Sequence, residues 1–405
     1  MSADQRPATL STVETTERYT VGNYARFPIA FTHGEGRMLW DEDGKRYLDL
    51  FSGLGVSCLG YGHAGLALAI AEQAGALLHT SNLFHTAPPA QLAQRIVERS
   101  FADRVFFCNS GTEATEAAIK MARRHGGERF EVVTVLQSFH GRTLGALAAT
   151  GQPNLQEGFG PMPPGFVHVA HGDADALAAA VSTNTAAVLL EPVIGEGGVI
   201  VPPTGYLQAA REICDRAGAL LVFDEVQCGW GRTGTLYAYE QLGATPDILC
   251  SAKGLAGGLP IGAVLATEEV ASAFVPGTHG STFGGNPVSC RAALAVLDAF
   301  DSEGVLENCR RAGDHMKQRL HELAAARGDI AGVRGLGLML AIELAGRQAR
   351  PVVTSALEHG LIINATAGNV VRFLPPLTIT TAEIDEGIEL LAGALDRAQD
   401  GGETK

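Results

Sequence analysis

Short apolar runs alternate with helical patterns along most of the chain from about residue 65. Runs rich in Val, Ile, Leu and Phe predict strands at residues 104–108, 131–136, 166–169, 186–191, 219–224, 248–251 and 261–266. Between several of them the apolar positions recur with a helical period, as at 112–124 and 205–217. Strands that are apolar on both faces and joined by helices are typical of a mainly parallel sheet covered on both sides. We therefore expect an α/β fold.

The pattern changes towards both ends of the chain. After a predicted helix at 286–300, the remainder predicts a helix, strands at 337–344, 361–364 and 370–373, and a final helix. Near the start, alternation around Asp43-Gly44 predicts a hairpin, and the first twenty-odd residues are expected to be loosely ordered. The predicted organisation is a hairpin segment (1–60) that joins the smaller domain, a large α/β domain (61–300) and a smaller α+β domain (301–405).

Composition narrows the class of protein. The net charge of −14 disfavours a nucleic-acid partner, because polyphosphate would be repelled. Charged residues are only 18%, against about 25% in ordinary domains, so we expect a large core or a face hidden against a partner. No apolar run approaches the ~20 residues of a membrane span, and the polar start has no signal-peptide pattern. Seven scattered cysteines without a C-x-x-C pair indicate reduced thiols, so a soluble, cytoplasmic protein is expected.

Lys253 is the first candidate for chemistry. It follows the predicted strand 248–251, precedes the glycine-rich GLAGGLPIG, and is one of only five lysines. A lone lysine at a strand end is usually a surface residue, but apolar neighbours favour loss of its proton and Schiff-base formation. Asp224 ends another predicted strand, at the edge where α/β sheets bind ligands, although a helix cap or turn acid would look the same. An amine and a carboxylate so placed suit pyridoxal phosphate, which needs both.

Two segments are candidates for holding a phosphate. The run CNSGTEATEAAIK predicts a strand, a tight turn and a helix whose N-terminus, at Ser110, Gly111 and Thr112, could attract an anion. A capping box of Ser110 with Glu113 would explain the same pattern without a ligand. In HGSTFGG, Ser281 and Thr282 offer hydroxyl groups beside glycines, but a simple turn explains this run nearly as well.

One motif is judged misleading. The run GWGRTG (229–234) matches the G-x-G-x-x-G dinucleotide fingerprint. However, DEVQC separates it from the preceding strand and no clear apolar helix follows, so the Rossmann interpretation is disfavoured. The twelve histidines show no metal-binding spacing, so no metal is expected.

Two arginines are candidates for recognising a substrate carboxylate. Arg142, in FHGR after a predicted strand, could bind a carboxylate through its planar guanidinium. Arg372 lies in the apolar VVRFLPPL, where a charge without an acidic partner would be costly, and Glu196 is a candidate partner. Each residue alone is more often part of a structural salt bridge.

Taken together, these residues resemble the class III, fold-type I pyridoxal-phosphate aminotransferases. The resemblance runs from about Tyr24 to Pro376 and includes YARFPIAF, LHTSNLF, FADRVFFCNSGTEA, SFHGRTLGALAATGQP, DEVQCGWGRTG, SAKGLAGGLPIGAV, HGSTFGGNP and VRFLPPLTI. Motifs of this length in this order are specific to the superfamily and less specific to the substrate. The resemblance implies a large, mainly parallel α/β domain that binds pyridoxal 5′-phosphate and a smaller α+β domain.

The resemblance also implies residue roles. Lys253 would carry the cofactor and shuttle a proton, while Asp224 would keep the pyridine nitrogen protonated. Phe139 and Val226 would lie on the two faces of the ring, and Gln227 would reach its phenolic oxygen. Further cofactor contacts would come from Ser110, Gly111, Thr112, His140 and, from the other subunit of a homodimer with shared active sites, Thr282. Substrate contacts would come from Tyr24, Arg142, Glu196, Ser281 and Arg372.

The implied reaction is transamination of N2-acetylornithine with 2-oxoglutarate, in arginine biosynthesis. In the family pattern, Glu196 pairs with Arg372, and the pair opens only when a dicarboxylate enters. Ornithine, N-succinylornithine, 4-aminobutyrate and a lysine-type amine remain alternative donors; an aminomutase and a non-catalytic sugar- or nucleotide-binding protein are alternatives of other classes. The chain departs from the family at Ile194, where glutamine is usual, and at Ala64, where proline is usual. Ile194 leaves the donor preference open.

Overall fold

The computed structural model describes residues 10–400. Within this range the strands are, in chain order, β1 (Phe31–Glu35), β2 (Met38–Asp41), β3 (Arg46–Asp49), β4 (Arg104–Cys108), β5 (Glu131–Val135), β6 (Phe166–Val169), β7 (Thr185–Leu190), β8 (Leu220–Asp224), β9 (Ile248–Ser251), β10 (Gly262–Ala266), β11 (Ile330–Leu336), β12 (Met339–Leu344), β13 (Leu361–Ile362), β14 (Asn364–Thr366) and β15 (Val370–Phe373).

Helices surround these strands, with short 3₁₀ turns at Pro153–Leu155 and Lys253–Ala256. The helices are α1 (Thr12–Tyr19), α2 (Ser52–Gly55), α3 (Ala64–Ala76), α4 (Ala87–Val97), α5 (Gly111–His125), α6 (Leu144–Ala149), α7 (Ala174–Ala180), α8 (Tyr206–Ala217), α9 (Tyr239–Leu242), α10 (Glu268–Ala271), α11 (Pro287–Ser302), α12 (Val305–Ala325), α13 (Arg350–Glu358) and α14 (Thr381–Asp400).

The largest sheet has seven strands in the order β4-β10-β9-β8-β7-β5-β6. Strands β5 to β9 pair in parallel, and β10 runs antiparallel to both of its neighbours. The sequence prediction of a mainly parallel α/β sheet is confirmed, and each predicted run forms a strand whose ends shift by at most one residue. The apolar pattern succeeds here because both faces of these strands are buried.

Helices cover the two faces of this sheet with different side chains. On one face, α5 presents small residues such as Ala114 and Ala118, both fully buried, so its backbone approaches the strands closely. On the other face, α7 and α8 pack larger side chains, including Leu177 and Leu207, against β7 and β8. The central strands are therefore enclosed and form a rigid base.

Two four-stranded sheets are built from the ends of the chain. The first has the order β1-β2-β3-β13; the predicted hairpin at Asp43-Gly44 forms β2 and β3, and β13 pairs in parallel with β3. The second, β11-β12-β15-β14, is antiparallel throughout. The expectation that the first twenty-odd residues are loosely ordered is wrong for Thr12–Tyr19, which forms α1. Residues 1–9 of the chain, and the last five residues of the predicted domain 301–405, lie outside the described range.

The run 229–234 lies in a series of turns that ends without a following helix of nucleotide-binding length. A Cβ at Gly231, where φ is +81°, would lie 2.9 Å from side-chain atoms of Leu306 and Leu377, so this turn packs against the C-terminal part of the chain. The positive φ and this close packing explain why position 231 is a glycine, so a bound dinucleotide is not needed to account for it. None of the helices between residues 10 and 400 is long and apolar enough to span a bilayer.

Strand direction decides where side chains of different segments meet. Because β10 reverses the chain between β9 and β4, the carboxyl end of β4 lies at the same edge as those of β5, β7, β8 and β9. Asp224 ends β8, and the segments that follow the other strands carry Ser110, Phe139, Glu191 and Lys253. The fold thus brings the candidate residues to one edge of the sheet, as expected for an α/β ligand site.

Candidate active site

A pocket of about 380 Å³ opens at this edge of the sheet. Its walls come from the segments after β4, β5, β7, β8 and β9, and from residues 258–261, which lead into β10. All the candidate residues of the sequence analysis line this pocket except four: Arg372, which is buried behind it, and Tyr24, Ser281 and Thr282. In the described part of the chain, no group of three or more His, Cys, Asp or Glu side chains could hold a metal.

Lys253 lines this pocket and starts the 3₁₀ turn after β9. Its φ of +47° lies in the left-handed region, a strained conformation that clusters at functional sites. Burial lowers the pKa of the Lys253 amine, while the carboxylates of Glu196 and Asp224 oppose this shift. Within residues 10–400 the amine makes no hydrogen bond. Such an amine is available as a nucleophile towards an aldehyde.

Asp224 ends β8 and lies at the pocket, only 5% exposed. Its Oδ2 lies 2.8 Å from His140 Nδ1, and its Oδ1 accepts the N–H of Val226 at 3.1 Å. His140 Nε2 lies in turn 3.2 Å from Thr134 Oγ1. The Asp224 carboxylate is therefore held from two sides and can pair with a cationic group in the pocket.

The N-terminus of α5 forms the polar corner of the pocket. Ser110 caps the helix by accepting the N–H of Glu113 at 3.3 Å, and the first N–H groups beyond it have no intrahelical partner. A Cβ at Gly111 would lie 2.8 Å from Val226 Cγ1, so the residue must be small. Thr112 Oγ1 is held 2.9 Å from Thr143 Oγ1. This corner can bind an anion such as a phosphate.

Phe139 and Val226 both line the pocket, one from the segment after β5 and the other from the segment after β8. The guanidinium carbon of Arg142 lies 5.6 Å from the centre of the Phe139 ring. Arg142 is exposed and makes no ion pair within the described residues. It is thus free to bind a carboxylate that enters from solvent.

Arg372 is buried, at 1% exposure, and is surrounded by hydrogen-bond acceptors. Its Nη1 donates to Glu196 Oε1 at 2.7 Å and to Gln227 Oε1 at 3.1 Å, and its Nη2 donates to Asn364 Oδ1 at 2.7 Å. Gln227 Nε2 also donates to Glu196 Oε1, at 3.1 Å. Glu196 and Gln227 line the pocket, whereas Arg372 lies behind them. Glu196 therefore covers the guanidinium.

The charge of Arg372 controls the ionisation of Glu196. Burial alone would raise the pKa of Glu196, but the charge and hydrogen bonds of Arg372, with a contribution from Lys253, hold it below its usual value. Glu196 is thus a stable carboxylate while the pair is closed. Its separation would leave a buried guanidinium without a counterion, unless another carboxylate replaced it.

Three predicted residues lie outside the pocket of this chain. Tyr24 is 67% exposed, with the Arg26 guanidinium 5.0 Å from its ring centre. Ser281 Oγ accepts from Asn109 Nδ2 at 3.1 Å, and Asn109 lines the pocket, but Ser281 does not. Thr282 lines a separate surface cavity with Ser81. Thr282 is expected to act from the other subunit, and the substrate roles of Tyr24 and Ser281 stay predictions.

Glu191 was not among the predicted site residues, yet it lines the pocket. The apolar pattern predicts a strand at 186–191 that ends on Glu191, whereas β7 ends at Leu190. A carboxylate directly after a buried strand is the same signal that identified Asp224, so the sequence contained the information. Asn364 was also missed, because nothing in a strand pattern indicates that its amide faces Arg372.

Comparison with known proteins gives the same picture over nearly the whole chain. The class III aminotransferase family model matches residues 19–395. The chain is 46% identical over 379 residues to the acetylornithine aminotransferase of Methanothermobacter thermautotrophicus (94% of this chain, 97% of that one). It is 49% identical over 375 residues to acetylornithine aminotransferase 1 of Bordetella pertussis (91% and 95%). A structure of the ornithine aminotransferase from Toxoplasma gondii superposes with a TM-score of 0.91 at 33% identity (95% and 94%).

The cofactor of this family is pyridoxal phosphate, and the Toxoplasma structure has partial occupancy of PLP at its active site. The pocket of this chain fits that group: the Lys253 amine has no partner among residues 10–400, the Asp224 carboxylate is oriented, and the N-terminus of α5 is open to an anion. The family model spans most of this chain, and the two relatives are identical to it at nearly half of the aligned positions. The chain therefore belongs to the class III aminotransferases.

Proposed function

We propose that the chain transfers the amino group of N2-acetylornithine to 2-oxoglutarate, giving N-acetylglutamate 5-semialdehyde and glutamate, as a step of arginine biosynthesis in the cytoplasm. The observation that carries this proposal is the closed Glu196–Arg372 pair at the pocket of Lys253. A site that accepts a monocarboxylate donor and a dicarboxylate acceptor in turn needs a positive charge that can be covered and uncovered. Relatives with nearly half of their residues in common are acetylornithine aminotransferases.

Lys253 and Asp224 would perform the central steps. Pyridoxal phosphate, when bound, supplies an aldehyde for the amine and a ring that accepts electrons. The Lys253 amine would hold it between turnovers and then, as a free base, move a proton between the donor carbon and the cofactor. Asp224, oriented by His140, would keep the ring nitrogen protonated. The lowered pKa of the Lys253 amine supports the role of a base.

Binding of the cofactor would use the walls of the pocket. Phe139 and Val226 would lie on the two faces of the ring, and Gln227 beside its phenolic oxygen. The remaining contacts would come from the N-terminus of α5 and the Asp224 network: Ser110, Gly111, Thr112 and His140.

Recognition of the two substrates would divide between the arginines. Arg142, which is exposed and makes no ion pair among the described residues, would bind the carboxylate of each substrate that lies far from the reacting carbon. With acetylornithine, Glu196 remains paired with Arg372, and the apolar part of the donor lies next to this closed pair. With 2-oxoglutarate, the second carboxylate replaces Glu196 on Arg372. Asn364 and Gln227 keep the guanidinium in place during this exchange.

A panel of amino donors tests the substrate assignment. The purified enzyme is assayed with 2-oxoglutarate and acetylornithine, ornithine, N-succinylornithine or 4-aminobutyrate, and kcat/KM is compared. We expect acetylornithine to give the highest value. If another donor exceeds it by about tenfold, the substrate assignment is wrong, while the family assignment is unaffected.

Lys253→Ala tests the assignment of the catalytic lysine. Loss of the amine should remove both turnover and the visible absorbance of the bound cofactor. Circular dichroism provides the control that the variant is folded. Turnover that survives in Lys253→Ala would exclude Lys253 as the catalytic residue.

We also propose a homodimer with shared active sites, in which Thr282 serves the pocket of the partner subunit and Tyr24 and Ser281 lie near the substrate carboxylate. The proposed division of the chain is a hairpin segment (1–60), a large cofactor-binding domain (61–300) and a smaller domain (301–405). Large apolar side chains stand exposed beside the cavity of Thr282, with Leu83 at 87%, Phe84 at 69% and Phe283 at 60% exposure. Exposed apolar patches of this kind mark interfaces. Sedimentation velocity should give about twice 42.3 kDa, and Leu83→Asp should shift the mass towards the monomer. A monomeric, fully active wild type would contradict the dimer.

A further inference from the structure

Glu191 joins two segments of the pocket wall with one carboxylate. It follows β7, is 5% exposed and lines the pocket. Its Oε1 accepts the N–H of Phe139 at 2.8 Å, and its Oε2 accepts the N–H of Gly195 at 2.9 Å. Phe139 belongs to the wall that faces the cofactor ring, and Gly195 directly precedes Glu196.

We propose that Glu191 is a positioning residue for the transamination reaction: it fixes the loop that carries Glu196 relative to the wall that carries Phe139, and so sets how readily the Glu196–Arg372 pair opens. This inference rests on the proposed function of that pair. Glu191 acts through Gly195 and Phe139, and the proposal gives it no contact with the reacting atoms.

The position of Gly195 controls the position of Glu196. A Cβ at Gly195 would lie 2.1 Å from Gln227 Oε1, so the backbone packs directly against that side chain. Gln227 in turn bonds both Glu196 and Arg372. The carbonyl of Gly195 also accepts the N–H groups of Gly198 and Val199, both at 3.2 Å. A shift of Gly195 would therefore move the whole turn and the hydrogen bonds around Arg372.

The other side of the loop is anchored independently. Arg334 Nε donates to the carbonyl of Gly198 at 2.8 Å, and Thr366 Oγ1 donates to the carbonyl of Glu196. Both anchors come from the antiparallel sheet β11-β12-β15-β14. Glu191 ties the loop to the segment that follows β5 of the central sheet, so its loss should loosen one side of the loop without unfolding the other.

Two N–H donors require a carboxylate that accepts through both oxygens. A glutamine at position 191 would keep one acceptor and direct an NH₂ group towards the second N–H, so one bond would be lost. Burial raises the pKa of Glu191 to about 7, opposed by the nearby His140, while Asp224 adds to the increase. The charge of Glu191 in turn opposes the lowering of the pKa of the Lys253 amine.

Glu191→Gln in the holoenzyme, with Glu225→Gln as the matched control, tests the proposal. Glu225 is fully buried and also accepts two backbone N–H groups, those of Ala238 and Tyr239, but it does not line the pocket. Single-turnover kinetics would compare kcat/KM for the half-reactions with acetylornithine and with glutamate. We expect Glu191→Gln to shift their ratio towards glutamate by about tenfold, and Glu225→Gln to leave it within about twofold.

A second measurement tests whether Glu191 also fixes the pocket wall that carries Phe139. Visible circular dichroism of the bound cofactor should change in Glu191→Gln and not in Glu225→Gln. If Glu191→Gln does not fold, Glu191→Asp, which keeps the charge but is shorter by one methylene, should shift the ratio in the same direction. An unchanged ratio in the folded variant, or equal shifts in both glutamine variants, would overturn the proposal.

Failure of the proposed function gives a different result. If the wild type does not react with acetylornithine, the substrate assignment fails, and the ratio is then measured with the best donor of the panel against glutamate. If the wild type reacts as proposed but the ratio is unchanged, only the role of Glu191 fails.

Discussion

Asp224 and Glu225 are adjacent at the end of β8, but their carboxylates have different partners. Asp224 reaches the pocket and pairs with His140. Glu225 points away and accepts the N–H groups of Ala238 at 2.5 Å and Tyr239 at 2.8 Å. Successive side chains of a strand face opposite sides, so only one of two neighbours can face a ligand. The strand pattern located this edge and singled out Asp224, which ends the predicted strand, and the family resemblance implied its role.

The buried Glu225 should make the stability depend on pH. Burial raises the pKa of Glu225 to about 8 from an ordinary value of 4.5, although the backbone donors oppose the shift. The folded protein then holds this proton more tightly than the unfolded chain. Its contribution is fully present below about pH 4.5 and is lost as the pH rises through about 8. The glutamine in Glu225→Gln does not titrate. The difference in Tm, wild type minus variant, should therefore decrease as the pH is raised from 5 to 8.

Thermal unfolding at one scan rate over this pH range provides the measurement. Comparing the two proteins at each pH removes the contributions of the other titrating groups, since these are common to both. A constant difference in Tm would show that Glu225 does not titrate between these limits.

Arg372→Lys should separate the two half-reactions. A lysine can replace the charge, but its single ammonium cannot reach Glu196, Gln227 and Asn364 with the planar geometry of a guanidinium. We expect kcat/KM for 2-oxoglutarate to fall about 100-fold, because the second carboxylate loses a bidentate partner, and that for the amino donor to fall much less. Stopped-flow measurement of each half-reaction tests this, and an equal loss in both would argue against selective binding of the dicarboxylate.

At the scale of elements, the turn between β14 and β15 contains a residue in an unfavourable conformation. Ala367 is exposed and has a φ of +49°, and Gly368 follows with +78°. Asparagine tolerates the left-handed region better than alanine, so Ala367→Asn should raise the Tm by about 1–3 °C. Gly368→Ala is the opposite control and should lower it, since it introduces a Cβ at positive φ. Differential scanning calorimetry decides, and a lower Tm for Ala367→Asn would contradict the prediction.

Elements that the sequence did not predict share weak local signals. The strand β11 contains Gly332 and Gly335, which lower strand propensity, and it forms because β12 pairs along its length. The helix α1 buries no residue, so it lacks an apolar stripe; its signal is the capping box between Ser11 and Glu14. By contrast, the central strands are apolar on both faces, and their pattern alone located them to within a residue.

Across the whole molecule, every cysteine is buried. Burial raises the pKa of the Cys58, Cys108 and Cys214 thiols to about 12, so little thiolate exists at neutral pH. The folded protein should therefore react with Ellman's reagent over hours, not minutes, and release seven equivalents after denaturation. A rapid equivalent in the native protein would show that one thiol is accessible.

The sequence predicted the two kinds of domain but not their connections. The parallel central sheet followed from local apolar runs, whereas the pairing of β3 with β13 depends on residues at opposite ends of the chain. Non-local pairing leaves no local pattern, and neither does the contact between Arg372 and Asn364 across β14 and β15. The sequence offered Glu196 only as a candidate partner of Arg372, and the family resemblance implied the pair, because the two residues are far apart in sequence and close in the fold.

The strand pair β3–β13 also bears on synthesis by the ribosome. Lys45, beside β3, bonds the carbonyl of Glu358, 313 residues later in the chain. At ~5–20 residues per second, roughly 15–60 s of translation separate the two segments. During that time the edge of β3 that pairs with β13 has no partner, and Leu48, fully buried in the finished protein, lacks its neighbour Leu361. A nascent chain interrupted before Leu361 therefore presents an open strand edge, which makes it a natural client for chaperones at the ribosome exit.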